Sequence, residues 1–328
     1  MTAFRFFQVR FRAVKPSAPK SPNVLVSQAG IPGTTSPAKP SLWIRALSRI
    51  PLALWYPVAR LMAYCAWKVF PYRRHVVVAN LTKSFPDWDE ATRERVIRDY
   101  YRGFADMLVE IVHSPRLTPA ELERRMSMVN PQLVRDEVAK GKPVLLCAAH
   151  QGNWEWLLLG LSTQLGMPVD AAYKPLVDSW AEREMLTLRS RLGARMIPAP
   201  ELLGDIIKKR GEPRAIAMVA DQEPVTSERK QWLTFLNRDT AFFLGPEEIA
   251  RSVRYAAFFV KLRRIARGRY EVEFVPLAGA GEQLPPGEFT SRYARMVEAQ
   301  IREAPADWPW SHKRWKLKKP LYSASPGN

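Results

Sequence analysis

The stretch Ala149-His150-Gln151-Gly152-Asn153-Trp154-Glu155 has the residue types and spacing that best support chemistry in this chain. An imidazole held by a carboxylate through one ring nitrogen can take a proton from an alcohol with the other. On a continuous helix, residues five apart lie about 140° from each other, so His150 and Glu155 would not face one another there. They can meet if His150 sits in a turn and Asn153 caps a helix that carries Glu155 in its first turn. That arrangement supplies the base and the orienting group of a triad without a protein nucleophile. No G-x-S-x-G and no H-E-x-x-H occurs in the chain. The nucleophile would then come from the substrate, as in direct acyl transfer to a hydroxyl. Taken alone, the same residues also read as a helix cap, a first-turn acid favoured by the helix dipole, and an incidental histidine.

The elements that must position this stretch follow from pattern. Short apolar runs at 143–149, 168–172, 194–198 and 214–220 alternate with helix-like segments at 154–165, 177–192 and 201–210. Strands alternating with helices predict an α/β fold with a mostly parallel central sheet flanked by helices. Residues 255–263 and 269–277, around Arg267-Gly268, read as a hairpin, and 288–303 as a last helix. His150 would stand where a strand ends and a helix begins, the usual ligand position in such sheets. Upstream, Asp87-Trp88-Asp89-Glu90 and Thr118-Pro119 carry the acids, cap residue and proline that open helices.

Charge is distributed unevenly. Lys and Arg number 50 against 32 Asp and Glu, a net +18. Residues 1–86 hold 13 basic and no acidic residues, and the stretch after Asp307 adds Lys313, Arg314, Lys316, Lys318 and Lys319. The body between is balanced. Basic ends on a neutral body suggest docking on an anionic surface. A nucleic-acid binder would spread its cations over a folded face instead, so no nucleic-acid partner is expected. Residues 1–40, rich in Pro, Ser, Lys and Arg, read as a disordered basic arm. Residues 41–71 form an aromatic-rich apolar segment with Trp55, Tyr56, Tyr64, Trp67 and Phe70, interrupted by Arg60 and Lys68. It is expected to lie in, or tilt through, a membrane interface, with Arg45, Arg49 and Arg60 on one face and breaks or kinks at Pro51 and Pro57. A folded domain over 72–320 that carries the His150 stretch and a tail over 321–328 complete the division. Cys65 and Cys147 are isolated and only four His occur, so neither a metal nor another cofactor is expected.

Several blocks in order resemble the late acyltransferases of lipid A biosynthesis, across roughly residues 41–320. They are the segment 71–110, AAHQGNWEW, AAYKPLVDSW (171–180), LRSRLGARMIP (188–198), Ala220-Asp221-Gln222, FLNRDTAFFLGPEEIA (235–250) and PADWPWSHKRWK (305–316). Lys174 stands where the family commonly has Arg, and Asn237 where it usually has Gly. The resemblance implies that His150, oriented by Glu155, deprotonates a hydroxyl of a lipid A precursor. That oxygen then attacks the thioester of a fatty acyl chain on acyl carrier protein. Donors for the developing oxyanion would come from Arg189 or Arg191, Lys174 and backbone N–H groups near Gly152, with Asn153 and Gln222 also in the binding site. Asp221 would position one of the cations. The implied partners are acyl carrier protein, an anionic glycolipid acceptor and the bacterial inner membrane, with the catalytic domain on its cytoplasmic side. The same chemistry on an ornithine lipid or glycerophospholipid is the nearest alternative. A non-catalytic peripheral membrane protein of the same fold is a further one.

Overall fold

The computed structural model describes residues 39–320. The tail at 321–328 and all but the last two residues of the basic arm at 1–40 lie outside it. The chain forms eleven α-helices and nine strands among the described residues. Seven strands make one sheet in the order β1-β9-β8-β2-β5-β3-β4. These are β1 (Met126–Met128), β2 (Val144–Ala148), β3 (Val169–Tyr173), β4 (Arg195–Pro198), β5 (Ala215–Val219), β8 (Ala257–Ala266) and β9 (Arg269–Ala278). All neighbours run parallel except the β8–β9 hairpin. The mostly parallel α/β sheet expected from the alternating runs is therefore present. Every residue of β2 is buried, as a central parallel strand covered on both faces requires.

A second, two-stranded sheet pairs β6 (Lys230–Phe235) with β7 (Arg238–Phe243). Its two-residue turn places Leu236 and Asn237 at φ of 50° and 60°. Both central residues of such a hairpin turn need positive φ, which Asn tolerates better than other non-glycine residues. Asn237 thus fills a position that would otherwise favour Gly. Its amide also donates to the Ser84 carbonyl.

Helices cover the sheet. Asp89 caps α4 (Glu90–His113) by accepting from the Thr92 N–H, and Thr118 caps α5 (Pro119–Arg125) by accepting from the Glu121 N–H. These are the two starts that the sequence signals marked. The intervening α6 (Gln132–Ala139) leads into β2. After β2 come α7 (Trp154–Gln164), α8 (Ser179–Ser190), α9 (Leu202–Lys208), α10 (Gly245–Val253) and α11 (Glu288–Glu303).

The N-terminal segment departs from a single helix. It forms α1 (Leu42–Ser48) and α2 (Leu52–Tyr64), separated at Pro51, and α2 runs on into a π-helical turn at Cys65–Val69 before α3 (Arg74–Ser84). Pro51 does break the segment, because it stands at the N-cap of α2. Pro57 lies inside α2, which continues past it. Arg45 and Arg60 accordingly belong to different helices. Ala59 and Ala63 bury one side of α2, which packs on α4, while Leu54, Val58, Leu61 and Met62 remain exposed on the other. No helix among the described residues is long and apolar enough to cross a membrane.

Candidate active site

Parallel register builds the site. Ala148 of β2 lies beside Val219 of β5. His150 and Asp221 each follow two residues later, so they emerge side by side at the carboxyl edge of the sheet. The Tyr293 hydroxyl, carried by α11, donates to the Ala148 carbonyl (2.7 Å) and accepts from the Ala220 N–H (3.1 Å). It bridges the two strand ends where they part. Ligands collect at such edges in open α/β sheets.

His150 Nδ1 lies 2.6 Å from Asp221 Oδ1, and the His150 backbone N–H also points at both carboxylate oxygens at 3.2 Å. The Trp308 indole N–H donates to Asp221 Oδ2 at 2.9 Å. Burial alone would push the Asp221 carboxyl up. The charge of the His150 ring and the hydrogen bonds from His150 and Trp308 outweigh it and hold the group below the usual carboxylate value. An ionised Asp221 makes Nδ1 the protonated nitrogen, by hydrogen-bond logic, and leaves Nε2 as the basic one. The His150 side chain keeps 20% of its surface accessible. That is enough for Nε2 to meet a substrate, while Asp221 is sealed.

The carboxylate bonded to the His150 ring is therefore Asp221, not Glu155. Asn153 does cap α7 as expected, with its carbonyl accepting the Trp156 N–H, and Glu155 does sit in the first turn. But Glu155 forms a two-pronged ion pair with Arg189 of α8: Nε to Oε2 at 2.8 Å and Nη2 to Oε1 at 2.6 Å. The Trp154 indole donates to the same carboxylate at 3.1 Å. The fork geometry matches a guanidinium to a carboxylate better than an imidazole could. Burial would raise the Glu155 carboxyl, yet Arg189 first, then Trp154 and the nearby His150, hold it low. His150 thus stands between two ionised carboxylates, one bonded to its ring and one in electrostatic reach.

Other expected donors are committed elsewhere. Gly152, at φ +58°, gives its N–H to the Asp307 carbonyl at 3.0 Å. Arg191 donates to the Leu117 and Pro115 carbonyls and serves to tie α8 to the start of α5. Lys174 lies exposed in the loop after β3, and Gln222 is half-buried next to Asp221. The Asp221 carboxylate, expected to hold a cation, meets the His150 ring. Among the described residues no group of His, Cys, Asp and Glu could hold a metal ion.

The C-terminal segment, noted in the sequence as a Trp-rich basic block, supplies residues that the sequence reading did not place in the site. Arg314, 1% exposed, donates from Nε to the Asp221 carbonyl (2.7 Å) and from Nη2 to the Ala241 carbonyl (2.6 Å). With Trp308 it clamps Asp221 from both ends of the turn 308–314. Burial, the His150 charge and Arg314 push the His312 imidazole down to about 3, so it stays neutral beside His150. Beneath α7, the buried Glu110 of α4 accepts from Asn153 Nδ2 (2.8 Å), the Tyr270 hydroxyl (2.6 Å) and, more loosely, the Tyr56 hydroxyl (3.3 Å). Burial raises its carboxyl, with Arg264 opposing. An acid inside the apolar run Met107-Leu108-Val109-Glu110-Ile111-Val112 was the available signal for it.

A partly accessible histidine held by a buried carboxylate at an α/β sheet edge is an arrangement that can take a proton from a hydroxyl. A search of curated proteins finds no match to the chain. A family model described as bacterial lipid A biosynthesis acyltransferase matches residues 42–317, from α1 to just past the Arg314 clamp. The chain therefore belongs to the bacterial lipid A biosynthesis acyltransferase family and is an acyltransferase.

Proposed function

We propose that this enzyme transfers a fatty acyl chain from the thioester of acyl carrier protein to a hydroxyl of a lipid A precursor, on the cytoplasmic face of the bacterial inner membrane. The observation that carries the reaction is the 2.6 Å contact between His150 Nδ1 and a buried, ionised Asp221. In this reading Nε2 takes the hydroxyl proton while the oxygen attacks the thioester carbonyl. The C–S bond breaks as the tetrahedral intermediate collapses, and the imidazolium returns its proton to the leaving thiolate. Asp221 and Glu155 both stabilise the transient imidazolium. Arg189, fixed by its fork on Glu155, is a firmly held cation available for the charge that develops on the carbonyl oxygen, a kind of interaction typically worth about 3 to 4 kcal/mol. The half-buried apolar cluster of Phe104, Leu108, Trp154 and Met185 around Met107, Ile111 and Leu188 borders this point and suits an acyl chain. Two methionines there can adapt to chain shape.

Membrane association rests on the N-terminal helices. Leu42, Leu54, Leu61 and Phe70 are each more than 60% exposed, and Arg45, Arg49, Arg60 and Lys68 stand exposed among them. Apolar side chains dipping into the interface beside cations for anionic headgroups are the pattern of a helix lying on a bilayer. The test is incubation of the purified protein with acyl-loaded carrier protein and either a tetra-acylated lipid A precursor or a glycerophospholipid, followed by mass spectrometry. A gain of one acyl chain on the precursor, lost in His150→Ala, supports the reading. Transfer to the glycerophospholipid alone would replace the acceptor, and transfer surviving His150→Ala would remove the base.

A further inference from the structure

On the face of α4 opposite the catalytic turn, α2 and α4 enclose a groove of about 450 Å³ lined by Pro57, Leu61, Tyr64, Trp67 and three arginines, Arg60, Arg98 and Arg102. That volume falls in the range that holds one small ligand. At about 100° per residue, Arg98 and Met107 stand roughly 180° apart on α4. Met107 borders the catalytic side, so a molecule in the groove cannot present a hydroxyl to His150. From the lining we infer that the groove is a binding site for a single anionic glycerophospholipid of the bilayer, distinct from both substrates. The inference rests on the membrane-surface reading of α1 and α2.

Three features carry it. First, the charge is one-sided. Arg98 and Arg102 share one carboxylate, Asp99, at 3.3 Å each, and Arg60 makes no ion pair among the described residues. A phosphodiester would supply the missing anion, and guanidinium is the side chain best matched to it. Second, the remainder of the lining is apolar and aromatic and continues into the exposed stripe of Leu54, Val58 and Leu61, so an acyl chain can run from the groove into the bilayer. Third, the groove ends at the π-helical turn Cys65–Val69, where the Trp67 indole N–H is buried without an acceptor among the described residues and Lys68 Nζ lies 4.1 Å from the ring centre. A lipid ester carbonyl at this end of the groove is an acceptor of the kind that donor lacks. The segment 1–38 is a poor occupant, because it carries five basic and no acidic residues and would meet three arginines.

The experiment is native mass spectrometry of the full-length protein released from detergent, titrated with phosphatidylglycerol, phosphatidylcholine or a lipid A precursor. The expected result is retention of one phosphatidylglycerol in preference to phosphatidylcholine. Arg60→Gln with Arg102→Gln should lower that retention about tenfold or more, the loss of roughly one charge-assisted contact. Arg124→Gln with Lys208→Gln, exposed cations on α5 and α9 outside the groove, should leave it unchanged, and Arg60→Lys with Arg102→Lys should keep most of it. Equal loss in the two Gln pairs would overturn the site in favour of diffuse charge attraction. Displacement of phosphatidylglycerol by the precursor at one shared site, or cross-links from residues 1–38 into the groove, would overturn it as well. The readout is retention, so a failure of the acyl-transfer reading leaves this result interpretable.

Discussion

The two ends of the described chain have similar composition and opposite fates. Residues 41–71 and 305–316 are both rich in Trp and in Arg or Lys, and together they hold much of the uncompensated charge. The N-terminal segment turns its apolar side chains outward, with Leu54 and Leu61 each 63% exposed. The C-terminal one turns inward: Trp308, Trp310 and Arg314 are all at or below 1% exposure. The difference lies in what the polar atoms can reach. Trp308 and Arg314 find the carboxylate and carbonyl of Asp221, whereas Arg98 and Arg102, which line the groove beside α2, share one carboxylate. Aromatic and basic composition alone marks neither a membrane surface nor a core. Hydrogen-bond partners decide it, because a guanidinium can be buried only when its donors are satisfied.

The largest effects should come from the inward end. Trp308→Ala removes a fully buried indole and is expected to cost about 3 to 5 kcal/mol of stability, readable by chemical denaturation. Trp308→Phe keeps most of the volume but removes one of the donors on Asp221. A fall in kcat of about tenfold with little change in KM would sharpen the clamp, and an unchanged kcat would reduce it to packing. Breaking the second carboxylate pair is a separate matter. Glu155→Gln leaves Arg189 largely buried without its anion and should lower stability by about 2 to 3 kcal/mol, less than for a fully sealed pair because both side chains retain some exposure.

The outward end should respond in the opposite way. Leu54→Glu with Leu61→Glu is expected to reduce binding to anionic vesicles about tenfold or more while moving the Tm by no more than about 2 °C. A large drop in Tm would mean that this face is covered by protein, and the contrast between the two ends would disappear. The smallest effect concerns pH. Glu110 has its carboxyl raised in the folded state, so the folded chain holds that proton more tightly than the unfolded one. Its contribution is therefore most favourable below the unfolded value near 4.5 and is lost as pH rises through the folded value. Asp221, held low, contributes above its unfolded value near 3.8 and loses that contribution as pH falls through the folded value. Glu110→Gln should flatten the decline of stability with rising pH, measured by denaturation at a series of pH values.

Much of the fold was legible in the chain. The runs at 143–149, 168–172, 194–198 and 214–220 became β2, β3, β4 and β5, and the hairpin about Arg267-Gly268 became β8 and β9. Each is a short, mostly apolar run bounded by turn residues, which is what a strand in a covered parallel sheet looks like. The β6–β7 pair was legible only as a Phe-rich block, because its turn uses Leu236 and Asn237 where a glycine would have announced a hairpin. Strand β1 is three residues long and has no alternation to read.

The site was half legible. His150 is at the strand end where it was expected, and the carboxylate five residues on was the natural partner by sequence distance. Asp221 was visible at the end of another strand, but its role depends on β5 lying next to β2, and strand order is not written in local pattern. A sequence neighbour lost to a neighbour across the sheet. Arg189, a candidate oxyanion donor, was likewise found to be the partner of Glu155, a pairing that needs α7 and α8 to pack.

The pairing of His150 with Asp221 is most directly tested by the kcat of Asp221→Asn in the acyl-transfer assay, on protein shown to be folded. Asn can accept at Oδ1 or donate at Nδ2 but cannot hold a negative charge beside the imidazolium. By analogy with the buried Asp of Ser-His-Asp triads, kcat is predicted to fall about 10³- to 10⁴-fold with KM changed only a few-fold. A variant that keeps kcat within about tenfold of the parent would contradict the assignment of Asp221 as the group that orients the base.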